Sequence, residues 1–164
     1  HKRYHKRLLH FMIKMLNNDE EKARDLLHDL ILKLVERPHM FDTSKIFYSW
    51  VITFAANMCR TEYRHFHKEY VSADESEVTG KIENAGELIS KTDAGIFNDH
   101  LDRALNGLQY EHKETFILRF QEGFSIQEIS EMMNCSVGTV KSRIYYTTRK
   151  LAQELEPFKS LLKK

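Results

Sequence analysis

The sequence predicts an all-α protein: two small helical domains joined by an acidic linker. Three observations carry that reading. Apolar residues recur at helical spacing in both halves of the chain. Between the halves, residues 71–97 lose that spacing and turn acidic. Glycine and proline number only six and two in 164 residues, too few for an all-β chain full of tight turns. The boundaries drawn this way are 1–70, 71–97 and 98–164.

In the first domain, Leu8, Leu9, Met12, Ile13 and Leu16 mark a helix from Tyr4 to Leu16. Asn17-Asn18-Asp19 is a stop followed by an N-cap. Residues 20–36 continue with Leu26, Leu27, Leu30, Ile31, Leu34 and Val35, and Pro38 ends that helix because it disfavours helical geometry in the residue before it. Asp42-Thr43-Ser44 is placed to cap the next helix. Residues 45–69 put Ile46, Phe47, Trp50, Val51, Phe54, Ala55 and Met58 on one face, with Trp50 read as core. The far end of that helix is polar and basic, with Arg60, Arg64, His65, His67 and Lys68.

The linker run Ser72 to Glu77 is acidic and lacks aromatics, and 82–89 is read as transient helix. Helical spacing returns at Asn98 with Leu101, Leu105 and Leu108, then Phe116, Ile117 and Phe120. Gly123 suits a left-handed stop. Ser125-Ile126-Gln127-Glu128 is a capping box that starts a short helix ending near Met133. Asn134 stands where a tight turn needs positive φ, which Asn tolerates well. Ser136 caps a last helix running to about Glu154.

Composition excludes several classes. At 41% hydrophobic residues the chain is too apolar to be wholly disordered, and no apolar run approaches the roughly 20 residues that span a membrane. The basic start lacks the apolar stretch of a signal peptide, and a chain opening on His1 reads as trimmed within its first helix. Two cysteines, Cys59 and Cys135, make no disulfide framework and fit a reducing cytoplasm. Cys59, His65 and His67 do not have a standard zinc spacing, and the nine histidines join no nucleophile–base–acid set. No metal, cofactor or catalysis is expected. A net charge of +1 hides two mildly basic segments flanking the acidic one.

Ser125 to Ile144 has the construction of a DNA-reading helix-turn-helix. Two helices that cross closely need a small residue at the crossing, supplied by Ser130, and a turn residue, supplied by Asn134. Ile129, Met133, Cys135, Val140 and Ile144 are spaced to close the inner face. The polar face of the second helix then offers Ser136, Thr139, Lys141, Ser142, Arg143 and Tyr145. Lys and Arg reach phosphates or guanine edges in the major groove, and Ser and Thr serve either. A plain helical hairpin with a solvated basic face would need only one of these features. The capping box, small residue, Asn turn and apolar seal occur together.

At these residues the chain resembles region 4 of the bacterial sigma-70 family, nearest the small extracytoplasmic-function group. The likeness extends upstream through Ala104–Leu108 and Phe116–Ser125, and includes Glu128-Ile129 and Gly138 to Arg143. A second block is similar to region 2: Ala23 to Leu30, then Trp50 to Asn57 with Arg64 beyond. The resemblance implies a specificity subunit of core RNA polymerase with no catalysis of its own. It implies docking on the β′ clamp coiled coil through Asp25, Leu26, His28, Asp29 and Leu32. It implies reading of the −10 element as single strand through Lys45, Asn57, Arg60 and Arg64, with the Pro38–Lys45 loop as the pocket's other wall. The recognition helix would read the −35 element, the apolar outer face of region 4 would meet the β flap, and an anti-sigma factor is an expected partner. The chain departs from the family at His28, where Gln is common, at Val137, where Pro is common, and at Tyr146 and Thr148, where basic residues are usual. A competing reading is a sigma-like decoy that sequesters an anti-sigma factor without reading DNA. Retention of Lys141, Ser142 and Arg143 argues against it, and Tyr146 and Thr148 argue mildly for it.

Overall fold

The structure is a computed structural model that describes residues 2–44, 46–71 and 93–158. Lys45, the acidic run holding Asp74, Glu75 and Glu77, and the helix expected over 82–89 lie outside the described residues. The described residues are helical and contain no strand.

Helix α1 (Lys2–Met15) ends in Asn17 and Asn18, both left-handed at φ 56° and 67°. The next residue, Asp19, caps α2 (Glu20–Glu36) by accepting the Lys22 amide at 3.0 Å. The sequence predicts both features because a stop and a cap depend only on nearby backbone. After α2, Pro38 opens a 3-10 turn, Pro38–Met40. The expected cap at Asp42–Ser44 is instead a local turn. The Asp42 carboxylate accepts the Ser44 amide at 3.0 Å and the Ser44 hydroxyl at 2.6 Å, the local habit of Asp in loops. Helix α3 (Phe47–Val71) therefore starts beyond it, and Ile46 and Phe47 stay exposed rather than joining the buried face.

Helix α4 (Asp93–Asn106) takes in residues 93–97, which the spacing assigned to the linker. Phe97 stands four residues before Leu101 and so extends the apolar stripe, but Gly95 reads as punctuation of the linker. Helix α5 (Tyr110–Phe116) runs into a π-helical turn, Ile117–Gln121, that ends at Gly123 with φ 82°. Helices α6 (Ile126–Met132) and α7 (Val137–Glu154) form the predicted helix-turn-helix.

Helices α1, α2 and α3 pack around Phe11, Met12, Met15, Leu30, Val51, Ile52 and Ala55, all essentially inaccessible. Full burial of one such side chain stabilises by about 1.5–3 kcal/mol. In the second half Ile117, Leu118, Ile129 and Val140 are buried, and a smaller cluster joins Ala104 and Leu105 to Leu151. The two halves are packed on one another. Tyr48 stacks on Phe124 with centroids 6.2 Å apart, Tyr63 meets Tyr110 at 4.5 Å, and one continuous apolar cluster includes residues of both.

Candidate nucleic-acid interface

The helix-turn-helix is built locally. Ser125 accepts the Glu128 amide at 3.1 Å while the Glu128 carboxylate accepts the Ser125 amide at 2.8 Å, so the capping box closes in both directions. Asn134 takes the turn at φ 49°. Ser130 is buried at the crossing, its hydroxyl donating to the Gln127 carbonyl at 2.7 Å. Ile129 and Val140 are fully buried, with Met133, Cys135 and Ile144 packed against the same core.

Helix α7 sorts the predicted DNA contacts into three kinds. Ser136 is the N-cap, accepting the Thr139 amide at 3.0 Å, and its hydroxyl lies 2.9 Å from that of Thr139. These two side chains fix the start of the helix. Lys141, Ser142 and Tyr145 are exposed and project from its outer face. Arg143 lies at the flank, half-buried, with Nη1 3.9 Å from the Cys135 sulfur. Beyond them, Tyr145 and Tyr146 expose their rings edge to face, with centroids 5.3 Å apart.

On α3, Trp50, Phe54 and Asn57 recur at helical spacing. Trp50 is half-buried rather than core, stacked on Phe54 at 5.8 Å and edge-on to Phe41 at 5.3 Å. Phe41 brings the Pro38–Ser44 loop against this stripe. Asn57 is exposed, and its carbonyl oxygen accepts from Arg60 Nη1 at 2.9 Å. Arg64 is exposed one turn further on. Cys59 faces inward from the same helix, and burial pushes its thiol up to about 12, while His65 and His67 are exposed. The three residues do not converge.

The outer face of α2 carries Asp25, His28, Asp29 and Leu32, all exposed and spaced along one line. Leu26 is half-buried and packs against the core. Val35, read from the sequence as part of the apolar stripe, is 71% exposed and extends this outer line. Phe120 is likewise exposed, on the turn after α5, with Phe116 beside it at 4.8 Å.

Sequence reasoning missed the polar residues buried in α5. Lys113, Glu114 and Thr115 are all buried. Burial holds Lys113 down at about 8, and its ammonium donates to Asn17 and Asn106 at 2.8 Å each. Burial raises the Glu114 carboxyl against the opposing pull of Arg60, whose Nη2 donates to it at 2.6 Å. One signal was present: Glu114 lies four residues after buried Tyr110 and three before buried Ile117, on the same helical stripe.

Two family models match. Sigma-70 region 2 covers residues 1–68, and sigma-70 region 4 covers residues 99–151. The chain is 26% identical to the ECF RNA polymerase sigma factor EcfG of Rhodopseudomonas palustris, over 84% of this chain and 73% of that protein. It is 29% identical to the RNA polymerase sigma factor CarQ of Myxococcus xanthus, over 94% and 87% respectively. Among solved structures, it resembles the sigma factor RpoE of Bartonella quintana, crystallised with the anti-sigma factor NepR. That likeness has a TM-score of 0.74 at 23% identity, covering 93% of this chain and 91% of that one. Region order, helix-turn-helix geometry and relatives agree, and the chain belongs to the extracytoplasmic-function group of the sigma-70 family.

Proposed function

We propose that the chain is a promoter-specificity subunit. It binds core RNA polymerase and directs initiation by reading a −35 element with α7 and a melted −10 element with α3. The carrying observation is the capped helix-turn-helix presenting Lys141 and Ser142, in one chain with an α3 that presents Asn57 beside Arg60. Docking on polymerase uses the outer line of α2, through Asp25, His28, Asp29 and Leu32, with Val35 added. Exposed Phe120 gives region 4 an apolar contact for the β flap. The chain supplies no catalysis. It acts in the cytoplasm, where polymerase and promoter DNA are, and an anti-sigma factor holds it in reserve.

The recognition helix supplies the test. Lys141→Ala removes an exposed cation that makes no hydrogen bond or ion pair among the described residues, so transcription from a −35-dependent promoter should fall about tenfold, the scale of one lost base or phosphate contact. Binding to core polymerase, measured in parallel, should not change. Equal loss of both would make Lys141 a structural residue and remove the −35 role of α7.

A further inference from the structure

We propose that Tyr146 is a specificity-determining residue of the recognition helix, and that its ring reads the methyl group of a thymine in the −35 element. The inference rests on the promoter-reading role proposed for α7 and names the base that one of its positions selects.

Tyr145 and Tyr146 are 59% and 60% exposed. Neither hydroxyl has a hydrogen-bond partner among the described residues, and there the ring contact of each is with the other, at 5.3 Å between centroids and 77° between planes. The core does not use these rings. Two adjoining aromatic side chains left in water mark a contact surface.

Their surroundings say what that surface meets. From Val137 to Gln153, α7 carries Lys141, Arg143, Arg149 and Lys150 and no carboxylate. Lys141 and Arg149 are exposed, four residues to either side of Tyr145, and Tyr146 follows exposed Ser142 by four. Residues four apart share a helix face, so both rings continue the face that presents Lys141 and Ser142. Cations with aromatic rings among them fit a polyanion that also has an apolar feature. Duplex DNA shows one in its major groove, the C5-methyl of thymine.

The two rings have different tasks. Tyr146 extends the line of Ser142, and the T-shaped contact with Tyr145 holds its ring. An exposed ring samples several rotamers, and holding it beforehand lowers the cost of ordering it on DNA. Tyr146 is therefore the contact and Tyr145 a positioning residue. Tyr146 is also one of the positions at which the chain lacks the basic residue usual in the family. An arginine there would suit guanine, through O6 and N7. A tyrosine ring has neither the charge nor the paired donors, and its apolar surface suits a methyl group. The departure changes the preferred base.

The test uses core polymerase with the full chain on promoter duplexes randomised across the upstream element. Tyr146→Arg should replace thymine by guanine at one selected position and leave the others as in the parent. Tyr146→Phe should keep thymine, because the ring does the reading. On the selected duplex, deoxyuridine in place of that thymine deletes only the methyl. It should weaken binding by the parent about fourfold, the scale of one buried methyl. The same change should cost Tyr146→Ala less than about 1.5-fold, and Tyr145→Ala an intermediate amount. An unchanged base profile in Tyr146→Arg, or an equal deoxyuridine effect in parent and Tyr146→Ala, overturns the thymine contact and leaves α7 as the −35 reader. Weaker binding of Tyr146→Ala to core polymerase without DNA assigns the rings to polymerase and also overturns it. Selection of no upstream element by the parent overturns the −35 role of α7, and this inference with it.

Discussion

Single residues divide by how far away their structural cause lies. Asp19, Gly123, Asn134 and Ser136 are legible in the sequence because each answers a demand made within four residues, a cap or a positive φ. Lys113 and Glu114 are not, because their partners Asn17 and Arg60 lie 96 and 54 positions away. Lys113 carries a pH signature. Its ammonium sits at about 8 when folded against 10.5 ordinarily, because burial opposes its charge, with Asp102 favouring it, Lys14 opposing it and Cys59 favouring it. Between those values the folded chain binds fewer protons than the unfolded one, so its contribution to stability rises with pH across that window. The full cost of the buried cation is present below it. The slope is about 1.4 kcal/mol per pH unit. Cys59, pushed from 9.0 to about 12, works in the opposite direction above pH 9. Urea melts at pH 8 and 9 should therefore show rising stability in the parent and a flatter profile in Lys113→Met. Matching profiles would mean that Lys113 stays charged in the fold.

At the scale of elements, α6 and α7 follow almost entirely from sequence, since a capping box, an Asn turn and a second cap define both of their adjoining ends. Ser125→Ala removes one arm of that box and should cost about 1 kcal/mol, lowering Tm by about 2–4 °C. An unchanged Tm would show that packing alone holds α6. The beginnings of α3 and α4 were less legible. The Asp42 carboxylate accepts from Ser44, and at the start of α4 Gly95 reads as part of the linker although Phe97 already continues the stripe of Leu101 and Leu105. Helix α2 shows a subtler limit. Spacing placed Val35 with the buried leucines, but α1 and α3 cover only one side of the helix, and the last turn of α2 leaves Leu32 and Val35 in water. Replacing both with Asp should leave stability within about 0.5 kcal/mol, as for exposed positions generally. Affinity for core polymerase should fall at least about tenfold if this line is the docking surface. Retained affinity would move docking elsewhere.

At the scale of the molecule, sequence predicts two helical bodies and a linker, and says nothing of how the bodies meet. They meet through an apolar cluster shared by both and through single polar side chains far apart in the chain, such as Lys14 with Asp102 and Arg60 with Glu114, each of which reads in isolation as an ordinary solvated charge. A chain of net charge +1 can act at a promoter because polymerase supplies much of the DNA affinity once the chain is docked. The most direct measurement is run-off transcription on a library of randomised promoter templates, with core polymerase alone and with the chain added. Chain-dependent transcripts should start downstream of two separated conserved elements, and Lys141→Ala should weaken selection at the upstream one. Tight binding of an anti-sigma protein with no chain-dependent transcript from any template would contradict the promoter-reading role and leave a decoy in its place.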